Sequence, residues 1–382
     1  MTVRRVAIFA VLVAAGACDE SPGFTERELK ILSNYTNLGK QSEASLVAGL
    51  DGAVELGQAL YFDCNLSAPL PADSDLGLAG DTGTISCNTC HDLEQGGADA
   101  RLGAPTSLGV GGFVGVNVPT VYNSGWRETW GWTAKHTSLR SQISVPLEMA
   151  PHALTRAEVA AYIEANYSDE YLALGLPFDG SNCEDSVGED CVFSNVAEIL
   201  EAYVRTLRSE DSRFDRHMNP KNRDVLTDEE IRGAKLFIGR ASCNECHNGP
   251  TFSDDRHHNI GVSQIGGTWN EGVVITEGEH KMELGHFPTP TLRNVGKTAP
   301  YMHNGLTDGL WDVVDFYRFG GHDTGYPGTK SDLIQPLNLS EEDVDDIVAF
   351  LKSLDEIPDI DEETGRDLKL PPEIYDDTRT CR

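Results

Sequence analysis

Residues 87–91, Cys-Asn-Thr-Cys-His, and residues 243–247, Cys-Asn-Glu-Cys-His, are two copies of one pattern in a chain of 382 residues. In a Cys-x-x-Cys-His motif each cysteine can form a thioether with a porphyrin vinyl group, and the histidine that follows offers its imidazole to the iron. A zinc site or a redox dithiol also uses Cys-x-x-Cys, but neither requires the immediate histidine. The motifs therefore predict two covalently bound haem c groups. The predicted attachment and iron-binding residues are Cys87, Cys90, His91, Cys243, Cys246 and His247.

The segments around the two motifs also repeat. A segment of the form Gly-x-x-Leu-aromatic precedes each motif, at 57–61 and 233–237, and Pro-Thr-apolar-x-Asn follows it, at 119–123 and 290–294. This order, found twice, predicts a duplicated haem domain. Strand signals are few, so the expected fold is mainly α, with two tandem class-I-like cytochrome c domains and long loops around the two c-type haems.

Several helix starts are marked by a capping residue followed three positions later by an acidic one. These predicted starts are Thr25, Thr155, Asn195, Thr227 and Ser340. A further helix is expected over 46–62.

The polar segment 209–224 marks the predicted junction between the two halves. We expect an N-terminal domain at 24–208, a C-terminal domain at 209–358 and a tail at 359–382.

The start of the chain predicts export. Arg4 and Arg5 precede an apolar run over 6–17, which is too short to span a membrane and is typical of a signal peptide covering residues 1–17. Ala-Gly-Ala-Cys at 15–18 resembles a lipobox, which would make Cys18 the lipidated first residue of the mature chain. A soluble exported form is the alternative. Either form fits the periplasm, since c-type haem is attached outside the cytoplasm.

Four cysteines remain after Cys18 and the haem motifs are assigned. An even remainder in an oxidising compartment favours disulfides. Cys183 and Cys191 would close a short acidic loop, and Cys64 with Cys381 follows by elimination; two buried thiols are the alternative for the second pair.

The formal net charge is −31. Such a surface argues against nucleic acid and anionic lipid as partners, which leaves a lipid anchor at Cys18 as the expected membrane contact. It would attract a basic electron donor or a basic substrate protein. A solvated acidic surface set by a saline habitat explains the charge equally well.

The whole order resembles the bacterial di-haem cytochrome c peroxidases and their MauG-type relatives, including the MauG- and MbnH-like members. The similarity runs from about Leu56 to Leu354. The matching stretches are 60–67, 86–91, 117–120, 132–148, 289–294 and 299–305. In that family hydrogen peroxide reacts at the N-terminal haem, and the C-terminal haem acts as an electron reservoir.

The resemblance also implies individual residues. Calcium lies between the haems in the family, and its ligands correspond to the Asn117 side chain and the carbonyl oxygens of Thr298 and Pro300. The tryptophan between the haems corresponds to Trp132, and a glutamine of the peroxide pocket to Gln142. Within the matching stretch 289–294, Arg293 is expected to contact the cofactor.

Two departures concern the iron ligands. Usual peroxidases of the family carry a distal histidine on the N-terminal haem, but Val110 stands at the best-matching position and no histidine lies between His91 and Trp132. We therefore expect an open N-terminal haem. At the position of the usual methionine ligand of the C-terminal haem stands Tyr317, as in MauG-type proteins. Met302, His303 or no protein ligand are the alternatives.

A third departure concerns the acid-base residue, which in the family is a glutamate just before a methionine. Glu148 precedes Met149, but it arrives four residues early, and the ungapped position falls on His152. Either side chain can shuttle protons near neutral pH if its surroundings adjust it. We expect one of these two to be catalytic, with neither being catalytic as the remaining alternative.

Two functions of different classes follow. The first is a peroxidase that takes electrons from a small cytochrome c or cupredoxin, or, in the manner of MauG, from Trp or Tyr side chains of a partner protein. The second is a di-haem electron carrier without peroxide chemistry. The carrier would need six ligands on both irons. Val110, at the position that matches the distal ligand, does not supply one.

Overall fold

The computed structural model describes residues 23–99, 101, 107–184, 186–263, 284–359, 361, 366–367, 369–375 and 381. The predicted signal peptide at 1–17 and the predicted lipidation site Cys18 lie outside these residues.

The described chain is mainly helical, as expected. Its α-helices are α1 (Glu26–Leu32), α2 (Ala53–Tyr61), α3 (Cys87–Cys90), α4 (Leu139–Glu148), α5 (Arg156–Asn166), α6 (Ser168–Ala173), α7 (Glu189–Val204), α8 (Arg213–Met218), α9 (Asp228–Phe237), α10 (Leu310–Arg318) and α11 (Glu341–Lys352). Short 3-10 helices lie at Ser33–Tyr35, Val47–Gly49, Ser124–Trp126, Cys243–Glu245, Val295–Lys297 and Pro372–Tyr375. Two antiparallel pairs join β1 (Leu108–Gly109) to β2 (Gly112–Phe113) and β3 (His257–His258) to β4 (Phe287–Pro288).

Four of the five predicted helix starts are confirmed. Thr25, Thr155, Thr227 and Ser340 each accept the backbone N–H three residues on, and each forms a full capping box. The start at Asn195 is wrong: α7 begins at Glu189, and Asn195 is buried within it.

A tertiary contact explains Asn195, because its Nδ2 donates to the hydroxyl of Tyr171 at 2.7 Å. The helix expected over 46–62 is also shorter than predicted. It begins at Ala53, after Gly52 has turned the chain with a φ of 89°.

Two large hydrophobic clusters form most of the core, one from residues between Val47 and Leu207 and one centred on residues between Phe214 and Leu354. A pair of crossing helices lies in each: α2 with α7, and α9 with α11. A Cβ on Gly57 would lie 2.2 Å from the carbonyl oxygen of Ile199, and one on Gly233 would lie 1.9 Å from that of Asp346. The repeated glycine therefore lets each helix pair approach closely.

The described segments near each end of the chain pack on the opposite halves. Leu32 and Tyr35, within the expected N-terminal domain 24–208, belong to the second cluster. Leu370 and Ile374 of the tail pack against the first cluster.

Both predicted disulfides, Cys64–Cys381 and Cys183–Cys191, are present. The first fastens the tail to the first half. None of the helices among the described residues combines the length and the apolar composition that a membrane span needs.

Candidate haem sites

Each Cys-x-x-Cys-His motif forms one turn of helix, α3 in the first half and Cys243–Glu245 in the second. The turn closes when the backbone N–H of the histidine donates to the carbonyl of the first cysteine, at 2.8 Å for His91 and 2.9 Å for His247. The four motif cysteines form no disulfide. Their thiols are thus available on the same turn as the imidazole.

The two imidazoles are oriented alike. Nδ1 of His91 lies 3.2 Å from the carbonyl oxygen of Gly97, and Nδ1 of His247 lies 2.9 Å from that of Phe252. A carbonyl accepts a hydrogen bond, so the proton sits on Nδ1 and Nε2 carries the lone pair that a metal needs. Burial lowers the pKa of both histidines and so favours the neutral form.

A cavity of about 520 Å³ opens beside the second motif. Cys243, Cys246 and His247 line it, and so does Tyr317 from α10. Burial raises the pKa of Tyr317, and the nearby Cys246 and Cys243 raise it further. The donor set and the space fit a covalently attached haem with a tyrosine on the wall.

The alternatives to Tyr317 line the same cavity. The ring of His303 stacks on Phe287 with centroids 3.7 Å apart, and burial lowers the pKa of His303 to about 4. Met302 takes a left-handed backbone conformation with a φ of 67°. His303 is thus engaged with another ring, whereas Tyr317 belongs to a helix that lines the cavity.

Trp132, although it belongs to the first half, lies on the wall of this cavity. Its Nε1 donates to the carbonyl oxygen of Asn117 at 2.7 Å. Its ring meets those of Phe287 and His303 edge-on, with centroids 6.3 and 6.2 Å away. An indole from the first half therefore reaches the second haem site.

The three residues expected to bind calcium come together on this wall. Nδ2 of Asn117 donates to the carbonyl oxygens of Pro300, at 2.6 Å, and Met302, at 3.1 Å. The Asn117 amide and these two carbonyl groups therefore lie close together. Reversing the amide would turn its oxygen toward these carbonyls, as joint binding of a cation by all three groups would require. Thr298 lines the cavity beside Pro300.

Gln142 lies on α4, and its side-chain oxygen is 2.8 Å from the point where a Cβ on Gly131 would be. Val110 is buried in a small apolar cluster that includes Cys90. A valine there offers no donor atom to a metal, in agreement with the missing distal histidine.

Glu148 and His152 lie in opposite surroundings. Glu148 is at the surface, paired with Arg156 at 2.9 Å. His152 is 3 % exposed, and its Nδ1 lies 2.6 Å from the carbonyl oxygen of Leu66. Burial lowers the pKa of His152, and His91 lowers it further. His152 is thus the candidate that faces the interior near the first motif.

Arg293, which the resemblance expects to contact the cofactor, makes extensive contacts with the protein itself. Arg293 is fully buried, and all three of its guanidinium nitrogens donate to protein oxygens. Nε donates to Pro250, Nη1 and Nη2 donate to the carboxylate of Asp215, and Nη2 also donates to the Tyr35 carbonyl. Arg293 thereby joins the 3-10 helix Ser33–Tyr35, α8 and the loop after the second motif.

Sequence reasoning missed two cavity residues, Arg127 and His258. Nε2 of His258 lies 2.8 Å from Asp254, and donor atoms of Cys246, Asp254 and His258 lie within 4.8 Å of one another. Since Cys246 belongs to the second motif, this group is part of the same site. No motif marks either residue, so only their position identifies them.

Comparison with known proteins identifies the family. Residues 51–223 match the family model described as di-haem cytochrome c peroxidase. The chain is 32 % identical over 335 residues to the cytochrome-c peroxidase IdrP2 of Denitromonas iodatirespirans, covering 80 % of this chain and 82 % of that one. It is 30 % identical over 302 residues to the methylamine utilization protein MauG of Methylorubrum extorquens, covering 79 % and 77 %.

Among solved structures, the chain is similar to a MauG-like protein associated with microbial copper homeostasis, with a TM-score of 0.69 and 26 % identity over 86 % of this chain and 97 % of that one. The family implies two haem c groups, in agreement with the two motifs. This chain therefore belongs to the di-haem cytochrome c peroxidases and MauG-type proteins, and it is an oxidoreductase that acts on peroxide.

Proposed function

We propose that the chain is an exported di-haem enzyme that reduces hydrogen peroxide at its N-terminal haem. One haem c is held by Cys87, Cys90 and His91, and the other by Cys243, Cys246 and His247. The observation that carries this proposal is the shared geometry of His91 and His247, whose Nδ1 atoms meet backbone carbonyls while Nε2 remains for iron.

We also propose the domain plan expected from the repeat. Two class-I-like cytochrome c domains, at 24–208 and 209–358, are supported by the paired glycines 57 and 233 and by the paired histidines. α1 packs on the second half, and Leu370 and Ile374 of the tail pack on the first half. The two terminal segments are thus exchanged between the domains.

Haem c supplies an iron that exchanges electrons with peroxide. Reduction of peroxide to two waters needs two electrons and two protons, and one proton must move from one peroxide oxygen to the other as their bond breaks. His152 is the residue we assign to this transfer. Its Nδ1 is engaged with Leu66, so Nε2 can take up the proton and return it. Gln142 is proposed to orient peroxide at the N-terminal haem.

We propose that the C-terminal haem would supply the entry point for electrons, that Tyr317 would bind its iron, and that Trp132 would relay electrons toward the first haem site. The first-half indole on the wall of the second-haem cavity supports this path. Asn117, Thr298 and Pro300 are proposed to bind calcium beside it. The electrons come from a small cytochrome c or cupredoxin, or from Trp or Tyr side chains of a partner protein. The net charge of −31 favours a partner with a basic face.

Low-temperature electron paramagnetic resonance of the oxidised holoprotein tests the ligand arrangement before any reductant is added. One high-spin and one low-spin ferric signal are expected, from an open N-terminal haem and a six-coordinate C-terminal haem. Two low-spin signals would contradict the open site, and would favour an electron carrier or a peroxidase that needs reductive activation.

A further inference from the structure

Arg127 is a first-half residue whose side chain lies in the second-half cavity. It follows the 3-10 helix Ser124–Trp126 and lines the same wall as His247. Its side chain is 17 % exposed. The segment that carries Trp132 to the second haem site therefore also carries a cation there.

The Nε end of the Arg127 guanidinium is poorly satisfied by the described part of the protein. Nε of Arg127 lies 3.7 Å from Oδ1 of Asp255, which is an ion contact but too long for a hydrogen bond. Within the described part of the chain, Nε of Arg127 and Oδ1 of Asp255 are both buried without a hydrogen-bond partner. Burial lowers the pKa of Arg127, because the nearby Asp255 offsets only part of the cost of burying the charge.

Leaving such a group unpaired is costly, because a buried cation needs both an opposite charge and hydrogen bonds to replace water. The planar fork of arginine matches a carboxylate in bidentate fashion. The acids near Arg127 do not supply this acceptor. Asp255 is too far for a hydrogen bond, and Asp254 is engaged with His258 at 2.8 Å. The acceptor that the site requires is therefore an anion inside the cavity.

We propose that Arg127 binds a propionate carboxylate of the C-terminal haem, so that a first-half side chain completes the haem site of the second half. This inference rests on the proposed haem attachment at Cys243 and Cys246. Oδ1 of Asp255 lies 3.7 Å from Nε of Arg127, so Asp255 partly offsets the charge of Arg127. Arg127 is thus a cofactor-binding residue whose placement depends on how the two halves pack.

The arrangement fixes the sign of its effect on the haem. A cation at the propionate disfavours the ferric state, which carries one more positive charge than the ferrous state, and so raises the reduction potential. Removing Arg127 should lower the potential of the C-terminal haem. Removing the charge of Asp255 should raise that potential, because the positive charge of Arg127 is then no longer partly neutralised.

The test is a reductive titration of the holoprotein and of three variants, R127Q, R127K and D255N. R127Q is expected to shift the C-terminal haem potential downward, D255N to shift it upward, and R127K to stay near the unaltered protein. Opposite shifts are the decisive result, since a general disturbance of the cavity would move R127Q and D255N in the same direction. Shifts of the same sign, or no shift in R127Q, would overturn the inference.

Haem content measured on the same samples separates this inference from the proposed function. Two haems per chain with unchanged potentials would overturn the role of Arg127 and leave the attachment sites standing. A chain without haem on the second motif would overturn both.

Discussion

Nε of Arg156 donates a hydrogen bond of 2.9 Å to Oε1 of Glu148 and holds that carboxylate at the surface. His152, a little further along the chain, is 3 % exposed and is electrostatically influenced by His91. Glu148, which matches the family by residue type, thus faces solvent. His152, which matches by ungapped position, is buried.

The first prediction separates these candidates. H152Q should slow the reaction of the oxidised protein with peroxide by about 10²–10⁴-fold, the usual contribution of a positioned general acid-base. E148Q is the matched control and should react within about twofold of the unaltered protein, because an exposed ion pair contributes little. Stopped-flow absorbance of the haems measures both rates. A normal rate in H152Q would remove His152 from the mechanism, and a slow E148Q would restore Glu148.

The second prediction concerns Tyr317. Y317F keeps the ring but removes the oxygen, so a coordinated phenolate would be lost and the low-spin ferric signal should change. The reduction potential of that haem should rise, since an anionic oxygen ligand stabilises ferric iron. Y301F is the control, because Tyr301 lines the same cavity while its hydroxyl donates to Val295 at 2.8 Å. Equal spectra for Y317F and the unaltered protein would exclude Tyr317 as ligand.

The third prediction concerns the repeated helix crossing. G233A should lower the free energy of unfolding by about 1–3 kcal/mol or more, because the added Cβ meets the backbone of α11. This is opposite in sign to the gain that alanine brings at an ordinary helix position. G49A is the control, since a Cβ on Gly49 has nothing within 4 Å. Chemical denaturation of the holoproteins gives both values, and equal midpoints for G233A and G49A would contradict the tight crossing.

The fourth prediction is a pH dependence of stability. Asp355 is largely buried and accepts a hydrogen bond of 2.8 Å from the Gly296 backbone. Burial raises the pKa of Asp355 to about 6, despite the opposing effects of that hydrogen bond and of Lys297 and Lys352. The folded state therefore holds the proton more tightly than the unfolded state, whose pKa stays near 3.8. This group favours folding at low pH, and its contribution is lost as pH rises from about 4 through 6.

D355N can keep the hydrogen bond without the charge. It should raise the free energy of unfolding at about pH 7.5 by roughly 2–3 kcal/mol, with the gain shrinking toward zero near pH 4. Denaturant titrations at the two pH values measure the difference. A gain that is the same at both values would show that ionisation of Asp355 is not its cause.

Local sequence was sufficient wherever the chemistry lies within a few consecutive residues. The haem motifs, four capping boxes and the repeated Gly-x-x-Leu-aromatic segment involve atoms that covalent geometry already brings together. Asn195 shows where such reasoning fails. Its spacing to Glu198 is typical of a helix start, but its side chain donates a hydrogen bond to Tyr171, which belongs to another helix.

The site residues depend more strongly on tertiary structure. The sequence by itself determined that two haem motifs occur in a duplicated, mainly helical chain of one peroxidase family. Only the folded chain decided that Arg293 serves the core, that Glu148 faces solvent while His152 is buried, and that Arg127 and Trp132 reach the cavity of the other half. The physical reason is that burial and long-range pairing depend on what the rest of the chain places beside a residue, whereas a motif records only its neighbours in sequence.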